Sequence, residues 1–222
     1  MPIHIRPLSL LLLTGLILSS AAYADVSPGQ ISKGGKLGVV VSSVNSHKDN
    51  SGNTMQTKSL TGYQASLFVN FRQSKIFSYQ MELAIVGKGY KIPNVSVRDT
   101  RDTSVILIKD VTTLLTYLEL PVMAKISLPV RGKYIPYFLG GGYGSYLMSG
   151  KLRLSDTLLS DEFKLANANK VGAGAILGAG LDIKAGSGYA CLELRYEIDL
   201  TSVIKNQPEK NRALTFYIGY RY

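Results

Sequence analysis

Between residues 189 and 200 the chain alternates with a period of two and never slips. Ala190, Leu192, Leu194, Tyr196, Ile198 and Leu200 fall on one side, and Cys191, Glu193, Arg195, Glu197 and Asp199 on the other. Successive side chains of an extended chain point to opposite faces, so this pattern belongs to a strand with one apolar and one polar face. The scheme recurs. Tyr63, Ala65, Leu67, Val69 and Phe71 alternate with Gln64, Ser66, Phe68, Asn70 and Arg72, and Phe77, Tyr79, Met81, Leu83 and Ile85 with Ser78, Gln80, Glu82 and Ala84. Over 112–127, Leu114, Leu118, Leu120, Val122, Ala124 and Ile126 share a face, broken only by Thr116, opposite Tyr117, Glu119, Pro121, Met123 and Lys125. The last segment sets Leu214, Phe216, Ile218, Tyr220 and Tyr222 against Ala213, Thr215, Tyr217, Gly219 and Arg221.

Weaker strands are expected at about 34–45, 133–149 and 170–184, which brings the number to eight. The last two are rich in glycine: Gly140, Gly141, Gly142 and Gly144, then Gly172, Gly174, Gly178 and Gly180. Gly172-x-Gly174 superficially suggests a nucleotide loop. Such a loop needs a third glycine at fixed spacing and a following helix, whereas alternation here runs on to Ile183. Small residues on the inner face of a tightly curved sheet account for the glycines.

The connections alternate in length. Gln73-Ser74-Lys75, Leu128 to Gly132 and Ala185-Gly186-Ser187-Gly188 are short turns. Long polar stretches lie near 46–60, 88–110, 150–168 and 202–211. Short turns at one end and long loops at the other are the pattern of an outer-membrane β-barrel, and chain ends on the short-turn side imply an even strand number. Several strands exceed the roughly 9–11 residues a tilted membrane-crossing strand needs, so they extend beyond the bilayer on the loop side.

The first 24 residues read as a secretory signal: Arg6, an apolar core over Leu8–Leu18, and the small-x-small site Ala22-Tyr23-Ala24, with Asp25 as the expected mature N-terminus. Eleven residues are too few to cross a bilayer as a helix, which takes roughly 20. Residues 25–33 are expected to form a short flexible lead-in and 34–222 one barrel domain. The mature part has no uninterrupted run of 18 apolar residues, which excludes a helical membrane protein. Mean hydropathy is nonetheless +0.10, as suits strands whose apolar residues never accumulate in a run.

Taking Arg6 from the 25 basic residues leaves 24 against 15 acids, a net charge of +9. The basic residues are scattered among acids rather than clustered on one face, which speaks against nucleic acid and for phosphate-rich lipid headgroups. Cys191 is the only cysteine, so no intramolecular disulfide forms. The mature chain keeps one histidine, His47, and this scarcity weighs against zinc and nucleophilic sites.

Alternation alone does not separate a membrane barrel from a soluble lipocalin-like one. Three features put the apolar face outward. The chain carries an export signal. It ends on Tyr220-x-Tyr222, aromatics suited to an interfacial girdle. Its polar faces also hold acids and bases together (Arg72, Glu82, Glu119, Lys125, Asp182, Glu193, Arg195, Glu197 and Asp199), which can pair with one another inside a narrow lumen. Tyr79, Tyr137, Tyr143, Tyr196, Tyr220 and Tyr222 are assigned to the apolar face as belt residues.

Several of these segments together resemble the PorT-like family of outer-membrane β-barrels, of the small OmpA-like type. They are Gln80-Met81-Glu82-Leu83 with Gly87-Lys88-Gly89, Tyr117 to Pro121 with Ala124-Lys125, Tyr137 to Leu147, Gly172 to Leu181, Leu194-Arg195-Tyr196 and the aromatic C-terminus. The resemblance covers nearly all of the mature chain. It implies an all-β, antiparallel barrel of eight strands in the outer membrane. It also implies, for some members, a part in protein secretion across that membrane. The C-terminal strand is similar to an assembly signal read by the outer-membrane insertion machinery, with Tyr217 where a glycine is expected.

Some barrels of this kind are lipid-modifying enzymes. The candidate here is His47, beside Ser46, Lys48 and Asp49 in the first long loop, but loop histidines are ordinarily solvated. Glu193, Arg195, Glu197 and Asp199 share one face of a strand, and its three acids suggest a cation site or acid–base chemistry. Lumenal ion pairing with Arg72, Arg221 or Lys125 is the simpler account. Cys191 is expected in the lumen as an inert thiol. The second loop carries Lys88, Lys91, Arg98, Asp99, Arg101, Asp102, Lys109 and Asp110, suited to lipopolysaccharide phosphates or a protein partner. The expectation is a non-enzymatic structural or interaction barrel with no catalytic, cofactor or metal residues. The alternatives are a secretion accessory, a lipid-modifying enzyme and a soluble ligand-binding barrel.

Overall fold

The alternating segments pair edge to edge until the sheet has no free edge. In the computed structural model the described residues are 29–44, 47–48, 54–55, 57–98, 105–128, 130, 132–155, 160–164, 168–203 and 210–222. The expected signal segment and its cleavage site lie outside them. The barrel strands are β1 (Ile31–Val44), β2 (Lys58–Arg72), β3 (Phe77–Arg98), β4 (Val105–Ser127), β5 (Tyr134–Ser155), β6 (Val171–Ala185), β7 (Gly188–Asp199) and β8 (Asn211–Arg221). Each pairs antiparallel with its sequence neighbours. β1 also pairs with β8, from Gly34↔Arg221 to Val44↔Asn211, and this closes an eight-stranded barrel. A short strand, Ser160–Lys164, adds to the far end of β5. His47–Lys48 and Thr54–Met55 form a separate two-strand ladder.

β1 starts at Ile31, three residues before the alternation becomes legible. Mutual bonds between Lys33 and Tyr222, and between Gly29 and the Arg72 carbonyl, tie the lead-in to the barrel's end. The short turns behave as expected. In the first, the backbone amides of Gln73 and Ser74 donate to the Phe77 carbonyl, and the Ser74 hydroxyl accepts from Ile76 and Phe77. In the last, Gly186 takes φ +61 as the first of two turn residues, a conformation costly to any residue with a Cβ.

Two of the expected long loops are largely strand. The stretch 88–110 is a continuous ladder from Lys88↔Leu115 to Arg98↔Val105, leaving only 99–104 between the strands. Residues 150–155 likewise stay in β5, paired with 110–115 and then with 160–164. β3, β4 and β5 therefore run to 22, 23 and 22 residues, against 11–15 for the other five. The β-branched Ile92, Val95, Val97, Val105, Ile106 and Ile108 favour the ladder, and the lysines and aspartates of the same stretch do not oppose it.

The outer face is apolar, as alternation requires of a membrane barrel. Leu67 is 70% exposed and Val171 71%, and Leu37, Phe138, Phe216 and Ile218 are similarly open. The inner face is where the charges go. Gly172, Gly174, Gly178 and Gly180 lie on the lumenal side of β6, with Ile176 and Asp182, as the small-residue reading of this strand predicts.

Candidate functional site

The lumen is filled by three layers of ion pairs, stacked from the short-turn end to the long-loop end. In the lowest, Asp182 of β6 accepts from Lys125 of β4 at 2.9 Å and from Arg221 of β8 at 2.8 Å. The Lys125 ammonium lies over the Tyr137 ring, and the Arg221 guanidinium over Tyr189.

The middle layer holds two cations and two anions. Arg195 is fully buried. It donates to both oxygens of Glu82, at 2.8 and 2.6 Å, and its Nε lies against Glu193. Lys36 donates to Glu82 at 2.6 Å and to Glu193 at 3.1 Å. Gln80 adds a bond to Glu82 at 2.6 Å, and the Tyr137 hydroxyl one to Glu193 at 2.7 Å. Tyr217 closes the layer with its ring under Arg195, 4.7 Å away. Every charge is paired and hydrogen-bonded, the condition for holding ions out of water.

The upper layer is lopsided. Lys88 alone faces three carboxylates, at 2.8 Å from Glu119, 3.0 Å from Glu197 and 3.8 Å from Asp199. Tyr143 donates to Asp199, as does the Asn211 amide at 3.1 Å. Above it, Leu115, Tyr117 and Val203 pack together, as do Val44, Tyr90 and Ile92. Side chains thus occupy the interior, as the diameter of an eight-stranded barrel dictates.

The expected lumenal residues Glu82, Glu119, Lys125, Asp182, Glu193, Arg195, Glu197 and Asp199 do meet inside, but the pairing differs in detail. Arg221 and Lys125 pair with Asp182, while Glu193 and Glu197 take Lys36 and Lys88 as partners. Lys88 is a lumenal strand residue rather than a loop residue. Both lysines keep the alternation: Lys36 lies on the face opposite Leu37, Val39 and Val41, and Lys88 shares a face with Glu82, Ala84 and Val86, and that is the signal from which their places follow.

Tyr137 and Tyr143 belong to the lumen, not to the outer belt. The periodicity of 134–149 is ambiguous because both faces are apolar or glycine. The register settles it: Tyr137 lies opposite Gly180 and Tyr143 opposite Gly174. A Cβ on either glycine would come within 2.4 Å of the facing ring. The rings occupy the room the glycines leave, and their hydroxyls reach the carboxylates. Tyr79, Tyr196, Tyr220 and Tyr222 do face outward.

Cys191 is lumenal and buried. His47 pairs through its backbone with Met55, while Ser46 and Asp49 lie outside the described residues, as do Asp99, Arg101 and Asp102. Among the described residues no group of three or more His, Cys, Asp and Glu is arranged to hold a metal ion. Glu193, Glu197 and Asp199 instead divide between two layers.

Three solved structures are similar to this chain at low identity. Ail of Yersinia pestis is 14% identical, covers 88% of this chain and 100% of its own, and superposes with a TM-score of 0.43. Neisserial surface protein A is 11% identical, with 86% and 95% covered and a TM-score of 0.46. OprG of Pseudomonas aeruginosa is 11% identical, with 87% and 96% covered and a TM-score of 0.48. No curated protein matches the sequence. The family model of the outer membrane protein beta-barrel domain matches residues 23–205, from the expected cleavage site through β7. With its closed eight-stranded wall, apolar outside and charged inside, this chain is a small outer-membrane β-barrel and belongs to the outer membrane protein beta-barrel domain family.

Proposed function

We propose that the protein is a non-enzymatic interaction barrel: a plugged membrane stake that carries a rigid sheet above the outer-membrane surface. The observation that supports this is the unequal height of the wall. A tilted strand crosses the bilayer in roughly 9–11 residues, and β3, β4 and β5 have 22, 23 and 22. The surplus of about 11 residues, at ~3.3 Å each and a tilt of about 45°, raises these three strands ~25 Å beyond the hydrocarbon. A sheet continued that far orders about 30 residues that a loop would leave free. Such ordering suits presentation of a surface to a partner, either a protein or the phosphates of lipopolysaccharide. The filled lumen argues against transport through the barrel.

A photo-crosslinking residue placed within 99–104 in intact cells tests this reading. A discrete crosslinked protein that disappears when the hairpin is cut back to the Lys91↔Thr112 pair supports a protein partner. Adducts to lipopolysaccharide alone assign the surface to lipid. No adduct of either kind, with the barrel correctly inserted, refutes an interaction role.

The finer kinship is with PorT-like barrels. The segments carrying that resemblance supply Glu82, Lys88, Glu119, Lys125 and Arg195, all lumenal, so the likeness is one of interior packing. A role as a secretion accessory rests on that likeness, and periplasmic accumulation of cargo in a deletion strain is its test.

A further inference from the structure

The three layers do not carry equal charge. The middle one is neutral, with Lys36 and Arg195 against Glu82 and Glu193. The upper one is negative, with Lys88 against Glu119, Glu197 and Asp199. At the short-turn end the sign reverses. Asp182 is shared between Lys125 and Arg221, and below it a cavity of about 270 Å³ opens toward the periplasmic side, lined by Gln30, Ser32, Arg72, Lys184, Tyr189 and Arg221. Four cations face one carboxylate.

These cations are not spent on one another's partners. Among the described residues neither Arg72 nor Lys184 has a carboxylate at ion-pair distance. Arg221 is 94% buried, yet its Nε has no hydrogen-bond partner in the protein. One of its terminal nitrogens is held by Asp182 and the other reaches the Ser32 hydroxyl at 3.5 Å. A buried guanidinium with an unused donor, flanked by a second arginine, a lysine and hydroxyls, has the fork-shaped donor array that suits phosphate oxygens. The cavity's volume admits a phosphate or phosphoglycerol group and not a large ligand.

We propose that this periplasmic vestibule is a binding site for a phosphate-bearing anion, whether a phospholipid headgroup of the inner leaflet or a soluble phosphate. The inference rests on the lumen's lower end and is independent of what the tall wall contacts. An anion seated between Arg72, Lys184 and Arg221 also offsets like-charge repulsion at this end of the barrel.

The test uses the full mature chain, folded in an uncharged maltoside detergent and shown to be folded by its cold gel mobility. The probes are inorganic phosphate and dihexanoyl phosphatidylglycerol, followed by calorimetry and ³¹P line broadening. Both arms read the same chemistry: binding of either probe supports the site, phosphate binding assigns it to soluble anions, and binding of the lipid alone assigns it to headgroups. Arg72→Gln and Lys184→Gln, both at the accessible rim, are each expected to weaken binding about tenfold. Lys75→Gln, on a turn outside the cavity, leaves it unchanged. The proposal is overturned if neither probe binds the folded protein, or if Lys75→Gln weakens binding as much as the vestibule variants, since the attraction would then be diffuse rim charge.

Discussion

Replacing Arg195 by Met removes one of the two cations of the middle layer and keeps most of the side chain's length. Glu82 then retains Lys36 and Gln80, and Glu193 retains Lys36 and Tyr137. One ammonium is left to neutralise two carboxylates that are both about 98% buried. Removing one member of a buried ion pair costs about 3–5 kcal/mol, mostly from the uncompensated charge left behind. At about 1.4 kcal/mol per factor of ten, that shifts the unfolding equilibrium by about two to four powers of ten. Glu82→Gln alone inverts the imbalance and carries a penalty of similar size. The double variant restores neutrality, with Lys36 facing Glu193, and forfeits only hydrogen bonds worth about 1–2 kcal/mol. The two changes should therefore be coupled by at least ~3 kcal/mol, the double being far more stable than the sum of the singles predicts. The chain has no tryptophan, so unfolding in urea from phosphatidylcholine vesicles is followed by far-UV circular dichroism and by cold gel mobility. Additive penalties, or a single-variant cost below ~1 kcal/mol, would refute the view that the layers are dry and mutually dependent.

Three further outcomes test other parts of the architecture. Gly180→Ala places a methyl group against the Tyr137 ring and the Leu192 carbonyl, at 2.4 and 2.6 Å. It should cost about 1–3 kcal/mol through strain, while Gly144→Ala, which has open space around it, should cost little in the same urea titration. Leu194→Arg puts a charge on the outer face, where Leu194 is half exposed. Bilayer-folded protein should lose about 2–4 kcal/mol if this position lies near the midplane, whereas an unchanged folded fraction in vesicles would contradict the outward assignment. Cys191, 2% exposed, should resist maleimide in the folded barrel and react fully once the protein is boiled in detergent, as mass spectrometry would show.

How far the sequence disclosed this structure depended on the contrast between faces. In β7 the two faces differ completely, acid and base against Leu and Tyr, and every residue from Ala190 to Asp199 lies where alternation puts it. In β5 both faces are apolar or glycine, so Tyr137 and Tyr143 could be given to either side. Only the opposing Gly180 and Gly174 place them in the lumen, and register across strands is not a property of one segment. The stretch 88–110 misled in a different way. Its lysines and aspartates made it read as loop, but a charged residue is admissible in a strand where it faces a lumenal partner, as Lys88 faces Glu119 and Glu197. The presence of a charged interior was legible from Glu82, Glu119, Arg195 and Glu197. The partners were not, because Lys36 of β1 reaches carboxylates on β3 and β7, 46 and 157 residues away.

The interior ion pairs have a role that their net energy understates. A buried pair often adds little stability over well-packed apolar residues of the same volume. A sheet apolar on both faces, however, has no preferred register in a membrane, because a one-residue slip exchanges two similar faces. With charges on one face the slip is prohibitive. Moving β7 by one residue would turn Glu193, Arg195 and Glu197 into lipid, at about 2–4 kcal/mol for the arginine near the midplane and less for each acid. The middle layer should then specify register more than it stabilises. Replacing Lys36, Glu82, Glu193 and Arg195 together with Met and Leu takes the arginine and one of the two acids out of this penalty and leaves only Glu197. Cysteines at Leu192 and Ile218, outward-facing partners across β7 and β8, report the register through a short bifunctional crosslinker, in a Cys191→Ala background. The charged barrel should crosslink nearly completely. The apolar-layer variant should still enter vesicles and resist urea comparably, yet crosslink in only part of its population. Equal yields from the two would mean that register is set by the turns and not by the charges within.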